Sequence, residues 1–178
     1  MSFERIGSEE AWSGKVVSAR VDRFRFDDGE EVEREVVGHP GSVAILAHDG
    51  ESFYLVAHAR EVVGEQELLE LPAGKLDEEG ESPLDAGKRE LAEEIGIAAR
   101  EWRHLTTAYA SPGFTDEQIH IYLATGLHES DAERDEHERL EIRKLPLTEL
   151  AATIHACHDA KTLIGLLWLQ AERSAPTA

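Results

Sequence analysis

Glu90, Glu93 and Glu94 stand at i, i+3 and i+4 in a segment bounded by helix start and stop signals. On a helix their carboxylates share one face within about one turn. Like charges placed that way repel by a few tenths of a kcal/mol per exposed pair, and by more when partly buried. A bound cation offsets that repulsion. Hard divalent cations such as Mg2+ or Mn2+ take oxygen ligands, and carboxylates beside a backbone carbonyl hold them with positions left open for phosphate oxygens. The same triplet also suits a solvated acidic helix face. In a chain with 37 Asp plus Glu against 18 Lys plus Arg, the spacing alone does not separate the two readings.

A longer frame separates them. Gly74, Glu81 and the run Arg89-Glu90-Leu91-Ala92-Glu93-Glu94-Ile95-Gly96-Ile97 closely resemble the Nudix signature. That signature is Gly, five residues, Glu, seven residues, Arg-Glu, an aliphatic residue, any residue, Glu-Glu, any residue, Gly, and an aliphatic residue. Every fixed position has a match. The one departure is that six residues, Lys75 to Gly80, separate Gly74 from Glu81. The extra residue falls in the acidic turn before the helix, so it weakens the inference for Glu81 more than for Glu90 and Glu94.

The resemblance implies an α+β fold, a Nudix-type α/β/α sandwich with a mixed sheet, and hydrolysis of a nucleoside diphosphate linked to a further group. It implies Glu90 and Glu94 as principal metal ligands, Glu93 as an assisting ligand and catalytic residue, and the Ala73 carbonyl as a further ligand. The metal would be Mg2+, with Mn2+ as the alternative. Arg89 would orient the glutamates by pairing with an acid, Glu81 being the candidate.

The signature does not choose the substrate, but Ala110-Ser111-Pro112-Gly113-Phe114-Thr115-Asp116-Glu117 helps. Pro112 lies sixteen residues past Gly96. In that position the turn resembles the ADP-ribose pyrophosphatase subgroup, which implies ADP-ribose as substrate and AMP and ribose 5-phosphate as products. Segments 34–44 and 58–74 are similar to the same subgroup, which implies that Arg60 contacts the substrate phosphates and that the N-terminal strands form a homodimerisation layer. Read from the residues alone, Arg60 is equally a hairpin-end cation and Pro-Gly a plain turn. The subgroup's general base comes from a loop after the sheet; here Glu136 and Glu138 are the two candidates. Another nucleoside diphosphate sugar, a dinucleotide, or a non-catalytic nucleotide-sensing module are the alternatives.

Particular elements must position these residues. Ser82 as N-cap, Pro83 at the first helical position and Gly96 as C-terminal stop predict a helix over 83–95. Strands are expected over 16–26, with a phase slip near Asp22 and Arg23, and over 31–37, joined by the Asp27-Asp28-Gly29 turn. The runs 42–47 and 53–57 read as a second hairpin across Asp49-Gly50, and 71–74 as a loop. Further strands are expected at 101–108, 119–124 and 140–145, and helices at 147–157 and 160–172. The expected organisation is one domain over 1–178, with N-terminal strands over about 1–40 and the core over 41–178.

A formal charge of −19 repels nucleic acid backbones and anionic lipid, so neither is an expected partner. A small anionic substrate must instead be drawn by bound metal and placed arginines. The single cysteine, Cys157, has no internal disulfide partner and reads as a helix-face core residue. With no long apolar run near the N-terminus, a cytoplasmic setting is expected.

Overall fold

Three antiparallel strands, β1 (Phe3–Ser13), β2 (Ser18–Phe26) and β3 (Glu31–Gly38), form a sheet in that order in the computed structural model, which describes residues 1–130 and 140–174. With Tyr109–Gln118 they make up one of two units; the other comprises Ser42–Ala108 and the described residues from Ile119 onward. The turn between β2 and β3 closes as its residues predict. Gly29 takes φ +91°, and Phe26 receives its amide at 3.0 Å while donating to Glu30 at 2.9 Å.

The expected slip in β2 does not occur. Its register against β3 is unbroken from Ser18 to Arg25, and the irregularities lie on β1, between Arg5 and Gly7 and between Glu10 and Trp12. What looked like a change of phase is a buried charge. Asp22, 2% exposed, occupies the side of β2 that carries Phe24 and Phe26, where Ser8 donates to it at 2.6 Å and Arg20 at 3.1 Å.

The second unit runs β4 (Ser42–Ala47), β5 (Ser52–Arg60), β6 (Glu65–Glu70), β7 (Ala73–Lys75), α1 (Pro83–Ile95), β8 (Ile97–Tyr109), β9 (Gln118–Glu129), β10 (Leu140–Pro146), α2 (Leu150–Ala156) and α3 (Ala160–Ser174). Two sheets result, one ordered β10-β5-β6 and one ordered β7-β4-β9-β8. The second is mixed: β4 runs parallel to β9 and antiparallel to β7.

The Asp49-Gly50 turn forms, with Gly50 at φ +93° and Asp49 accepting the Ser52 amide at 2.7 Å. Yet β4 and β5 do not pair as a hairpin. Apart from one isolated bridge, His48 to Phe53, they part into different sheets. Long-range packing decides this, because β4 is buried on both faces. Ala44 and Leu46 join one core cluster with Phe53, Leu55, Ile121 and Leu166, while Ile45 and Ala47 join another with Leu91 and Ile95. Leu166 belongs to α3 and Leu91 to α1, so helices cover opposite faces of β4, the layering of a sandwich. An uninterrupted apolar run, Val43 to Ala47, is what such a strand requires.

Three strands lay outside the expectations. β1 is largely exposed and shows no alternation of polar and apolar residues, and β6 begins with exposed Glu65, Gln66 and Glu67. β7, expected as loop, is three residues held by its neighbour. The helix expected over 147–157 is shorter, with a 3-10 turn over Leu147–Glu149 before α2. Cys157 follows that helix instead of lining it; it is half-buried, its Sγ donates to the Asp159 carbonyl at 3.3 Å, and burial pushes its thiol pKa up.

Candidate functional site

The α1 termini are built as the residues dictate. Ser82 is extended, its hydroxyl accepts the Asp85 amide at 3.2 Å, and Pro83 takes the first turn. The Asp85 carboxylate accepts from the Ser82 hydroxyl at 2.7 Å, a local variant of the capping box. Gly96 ends the helix at φ +70° and donates to the Ala92 carbonyl at 2.9 Å.

Between these ends, the buried residues are Ala86, Gly87, Glu90, Leu91, Ala92, Glu94 and Ile95. This is the stripe an amphipathic helix turns to its core. Glu90 and Glu94 therefore do not lie on the solvated face; they are 9% and 5% exposed and stand where apolar side chains are expected. Burying two carboxylates is costly unless each has charged or hydrogen-bonding partners. The partners are close. Arg89 donates through Nη1 to Glu90 at 2.8 Å and to Glu93 at 2.9 Å, and through Nε and Nη2 to Glu81 at 3.1 and 3.0 Å. The bonds to Glu81 first, then the charge of Glu90 and the bonds to Glu93 and Glu90, hold the guanidinium firmly protonated against the cost of burial. Glu94 accepts the Ala73 amide at 3.1 Å, which fastens β7 to the helix.

The extra residue before Glu81 is absorbed in the turn. Gly80 takes φ +81°, the Glu81 amide donates to the Glu78 carbonyl at 3.2 Å, and Glu81 still reaches Arg89 with two bonds. Gly74 serves a different need. A Cβ there would lie 1.9 Å from Oε1 of Glu90, so only glycine lets this carboxylate pass beside β7.

Among the described residues no three His, Cys, Asp or Glu side chains stand in an arrangement that holds a metal ion. The glutamate oxygens are directed instead to Arg89 and to the Ala73 amide. The donor set still fits a hard divalent cation. Three carboxylates, of Glu81, Glu90 and Glu93, bond one guanidinium, leaving a local surplus of negative charge on oxygen donors, and a fourth, of Glu94, meets the backbone of Ala73.

Arg60 lies in the same unit. It holds Glu70 through Nε at 2.6 Å and Nη2 at 2.9 Å, and its charge is sustained first by those bonds, against burial, with the charges of Glu70, Asp159 and Glu94 adding. Glu70 is 1% exposed. Burial drives its pKa up, but Arg60 and Lys161 outweigh that and bring it down to about 2. Glu70 and Lys161 were not singled out from the sequence. Only the sequence placement of Glu70 directly before Leu71-Pro72-Ala73-Gly74 hinted at it, since in so acidic a chain one glutamate does not announce burial.

Pro112 belongs to the first unit. Its turn is tied to the end of β3, where Val37 donates to Phe114 at 2.7 Å and Asp116 accepts from Arg20 at 2.8 Å and from the His39 amide at 3.0 Å. Pro112 lines an open cavity of about 600 Å3 with Phe3, Arg5, Asp22 and Phe24. Glu136 and Glu138 lie outside the described residues.

The family model for the NUDIX domain matches residues 38–164, the stretch that carries this helix and its loop. The chain belongs to the NUDIX family. Among NUDIX relatives, the ADP-ribose pyrophosphatase of Bacillus subtilis (strain 168) is 37% identical over 169 residues, 93% of this chain and 91% of that one. The ADP-ribose pyrophosphatase of Mycobacterium tuberculosis (strain ATCC 25618 / H37Rv) is 40% identical, over 85% of this chain and 74% of that one. The methanol dehydrogenase activator of Bacillus methanolicus is 37% identical, over 95% and 93%. The crystal structure of an ADP compounds hydrolase superposes with a TM-score of 0.81 over 98% of both chains, at 21% identity, which shows that the NUDIX fold is shared. No helix among the described residues is long and apolar enough to cross a membrane.

Proposed function

We propose that this NUDIX protein hydrolyses ADP-ribose to AMP and ribose 5-phosphate with the help of a divalent cation, Mg2+ or Mn2+. The observation that carries the reading is the burial of Glu90 and Glu94 in the core-facing stripe of α1, against a glycine whose missing Cβ makes room for one of them. A purely solvated acidic face would not place them there. The ADP-ribose pyrophosphatases among the relatives support the substrate.

In this reading Glu90, Glu93, Glu94 and the Ala73 carbonyl hold the cation. When bound, it neutralises pyrophosphate charge and makes water a better nucleophile. Arg89 keeps the glutamates aligned through Glu81, since a guanidinium with bonds to three carboxylates fixes all of them together. Arg60, pre-aligned by Glu70, takes a phosphate oxygen of the dianionic substrate. The Ser111-Pro112-Gly113 turn contributes to substrate binding, and Glu136 or Glu138 removes the proton from the attacking water. Water adds across the pyrophosphate, and the P–O bond to the leaving phosphate breaks. The β1–β3 sheet, on which Phe3 and Trp12 are 66% and 57% exposed, is the layer through which two copies would associate.

A substrate panel tests the reading: ADP-ribose, ADP-glucose, GDP-mannose, NADH and diadenosine polyphosphates, each with Mg2+ and with Mn2+, scored by nucleotide release. ADP-ribose should give the highest kcat/KM. Preference for another compound would overturn the substrate. Nucleotide binding with no hydrolysis of any compound would favour a regulatory role, as the name of the Bacillus methanolicus relative suggests for that protein.

A further inference from the structure

On the face of the sheet opposite α1, the first turn of α3 carries a second set of buried polar contacts that the proposed chemistry does not use. Thr162 is 0% exposed. Its hydroxyl has one proton, which goes to Asp159 at 2.6 Å, and its oxygen accepts the Leu71 amide at 2.7 Å. Asp159 also accepts the Thr162 amide at 3.0 Å, in the manner of an N-cap. Leu71 is itself fully buried, so Thr162 supplies the partner its amide requires.

From Leu71 the chain enters the site within three residues. The Pro72 carbonyl accepts from Ile45 at 2.8 Å, the Ala73 amide holds Glu94, and Gly74 packs on Glu90. One residue before Leu71 is Glu70, which bonds Lys161 of the same α3 turn as well as Arg60. Lys161 is fixed in turn by Asp159 at 3.1 Å.

We propose that the first turn of α3 is a positioning element for the site: Thr162 sets the metal side by holding the Leu71 amide, and Lys161, through Glu70, sets Arg60 on the anion side. The inference rests on the pyrophosphatase reading above. Neither residue touches substrate in this account. Although Asp159 bonds both, each reaches the site by its own route, Thr162 through the Leu71 amide and Lys161 through Glu70, so their effects should differ in kind. Thr162 governs the backbone that carries Ala73 and Gly74, and Lys161 governs the orientation of a guanidinium. Supports of this kind typically change metal affinity or activity by about 10–100-fold.

The test compares the wild type with Thr162→Val, Thr162→Ser and Lys161→Met. Mn2+ affinity is measured by electron paramagnetic resonance without substrate, and KM and kcat are measured for ADP-ribose. Thr162→Val should weaken Mn2+ binding about tenfold, with Thr162→Ser restoring it. Lys161→Met should leave Mn2+ affinity within about twofold and raise KM about tenfold, the loss expected for one misplaced charged contact. If Thr162→Val does not fold, Asp159→Ala, which removes the acceptor that orients the hydroxyl at a half-buried position, should show the same Mn2+ weakening to a smaller extent. Unchanged Mn2+ affinity in Thr162→Val or Asp159→Ala, failure of Thr162→Ser to keep the wild-type affinity, or an unchanged KM in Lys161→Met would overturn the inference. A wild type that cleaves no pyrophosphate would instead overturn the reading it rests on, and the Mn2+ comparison would still report on Thr162.

Discussion

An ideal Cβ on Gly74 would lie 1.9 Å from Oε1 and 2.0 Å from Cδ of Glu90, so the strand and the glutamate occupy space that only a hydrogen leaves open. Gly74→Ala must therefore displace a buried carboxylate or push β7 off β4. The expected outcome is a loss of about 1–3 kcal/mol in denaturant unfolding, as for other overpacked sites. Activity should fall further than stability alone accounts for, because the displaced group is a proposed ligand. A Gly74→Ala variant with normal turnover would show that the close approach is incidental.

Arg89 gathers Glu81, Glu90 and Glu93 on one planar group. Lysine retains the charge but not the fork, so Arg89→Lys should lower kcat about 10–100-fold while the far-ultraviolet circular dichroism stays that of the wild type. Glu81→Gln should act in the same direction, through Arg89. That pair also measures whether the lengthened turn before Glu81 has functional weight. If Glu81→Gln changes nothing, the two bonds to Arg89 are structural decoration.

The acid limb of stability should bear the mark of Glu70. Its folded pKa of about 2 lies below the ordinary 4.5, so its contribution is fully present above about 4.5 and is lost as pH falls toward 2. Glu70→Gln should be less stable at neutral pH and should show a shallower decline in stability across that window. Parallel urea titrations at several pH values read this directly. An unchanged slope would mean that Arg60 and Lys161 do not stabilise the carboxylate as the geometry indicates.

Cation binding can be read without substrate. A ligand that binds only the folded chain raises the unfolding temperature by mass action. Mg2+ or Mn2+ should raise that of the wild type after treatment with a chelator, and should raise that of Glu90→Gln and Glu94→Gln much less. Chelation should also abolish hydrolysis, with either ion restoring it. Equal shifts in all three proteins would place the cation elsewhere.

The parts of the site that were legible in the sequence are those fixed by local chemistry. Ser82, Pro83 and Gly96 bound α1 because capping involves residues a few positions apart, while the match of Arg89 to Glu81 came from the resemblance to the Nudix signature. The double burial of β4 was visible as an unbroken apolar run. Whether β4 pairs with β5 was not, because the turn at Asp49-Gly50 is compatible with either outcome and the choice is made by β9 and β10, more than 70 residues away. Asp22 misled for a related reason: a charge on the inner side of a strand breaks the alternation that marks strands, and its partner Ser8 is evident only once β1 and β2 are paired. Thr162 and Leu71 meet across 91 positions of sequence, and no local pattern records such a contact.

We propose that the buried glutamates of α1 perform the metal-assisted hydrolysis of ADP-ribose. Glu94→Gln tests it most directly, since glutamine keeps the shape and can still accept the Ala73 amide but loses the negative charge. At saturating Mg2+, AMP release from ADP-ribose should fall by orders of magnitude relative to the wild type, with the unfolding temperature in the absence of metal essentially unchanged. Hydrolysis by Glu94→Gln at close to the wild-type rate would contradict the metal assignment.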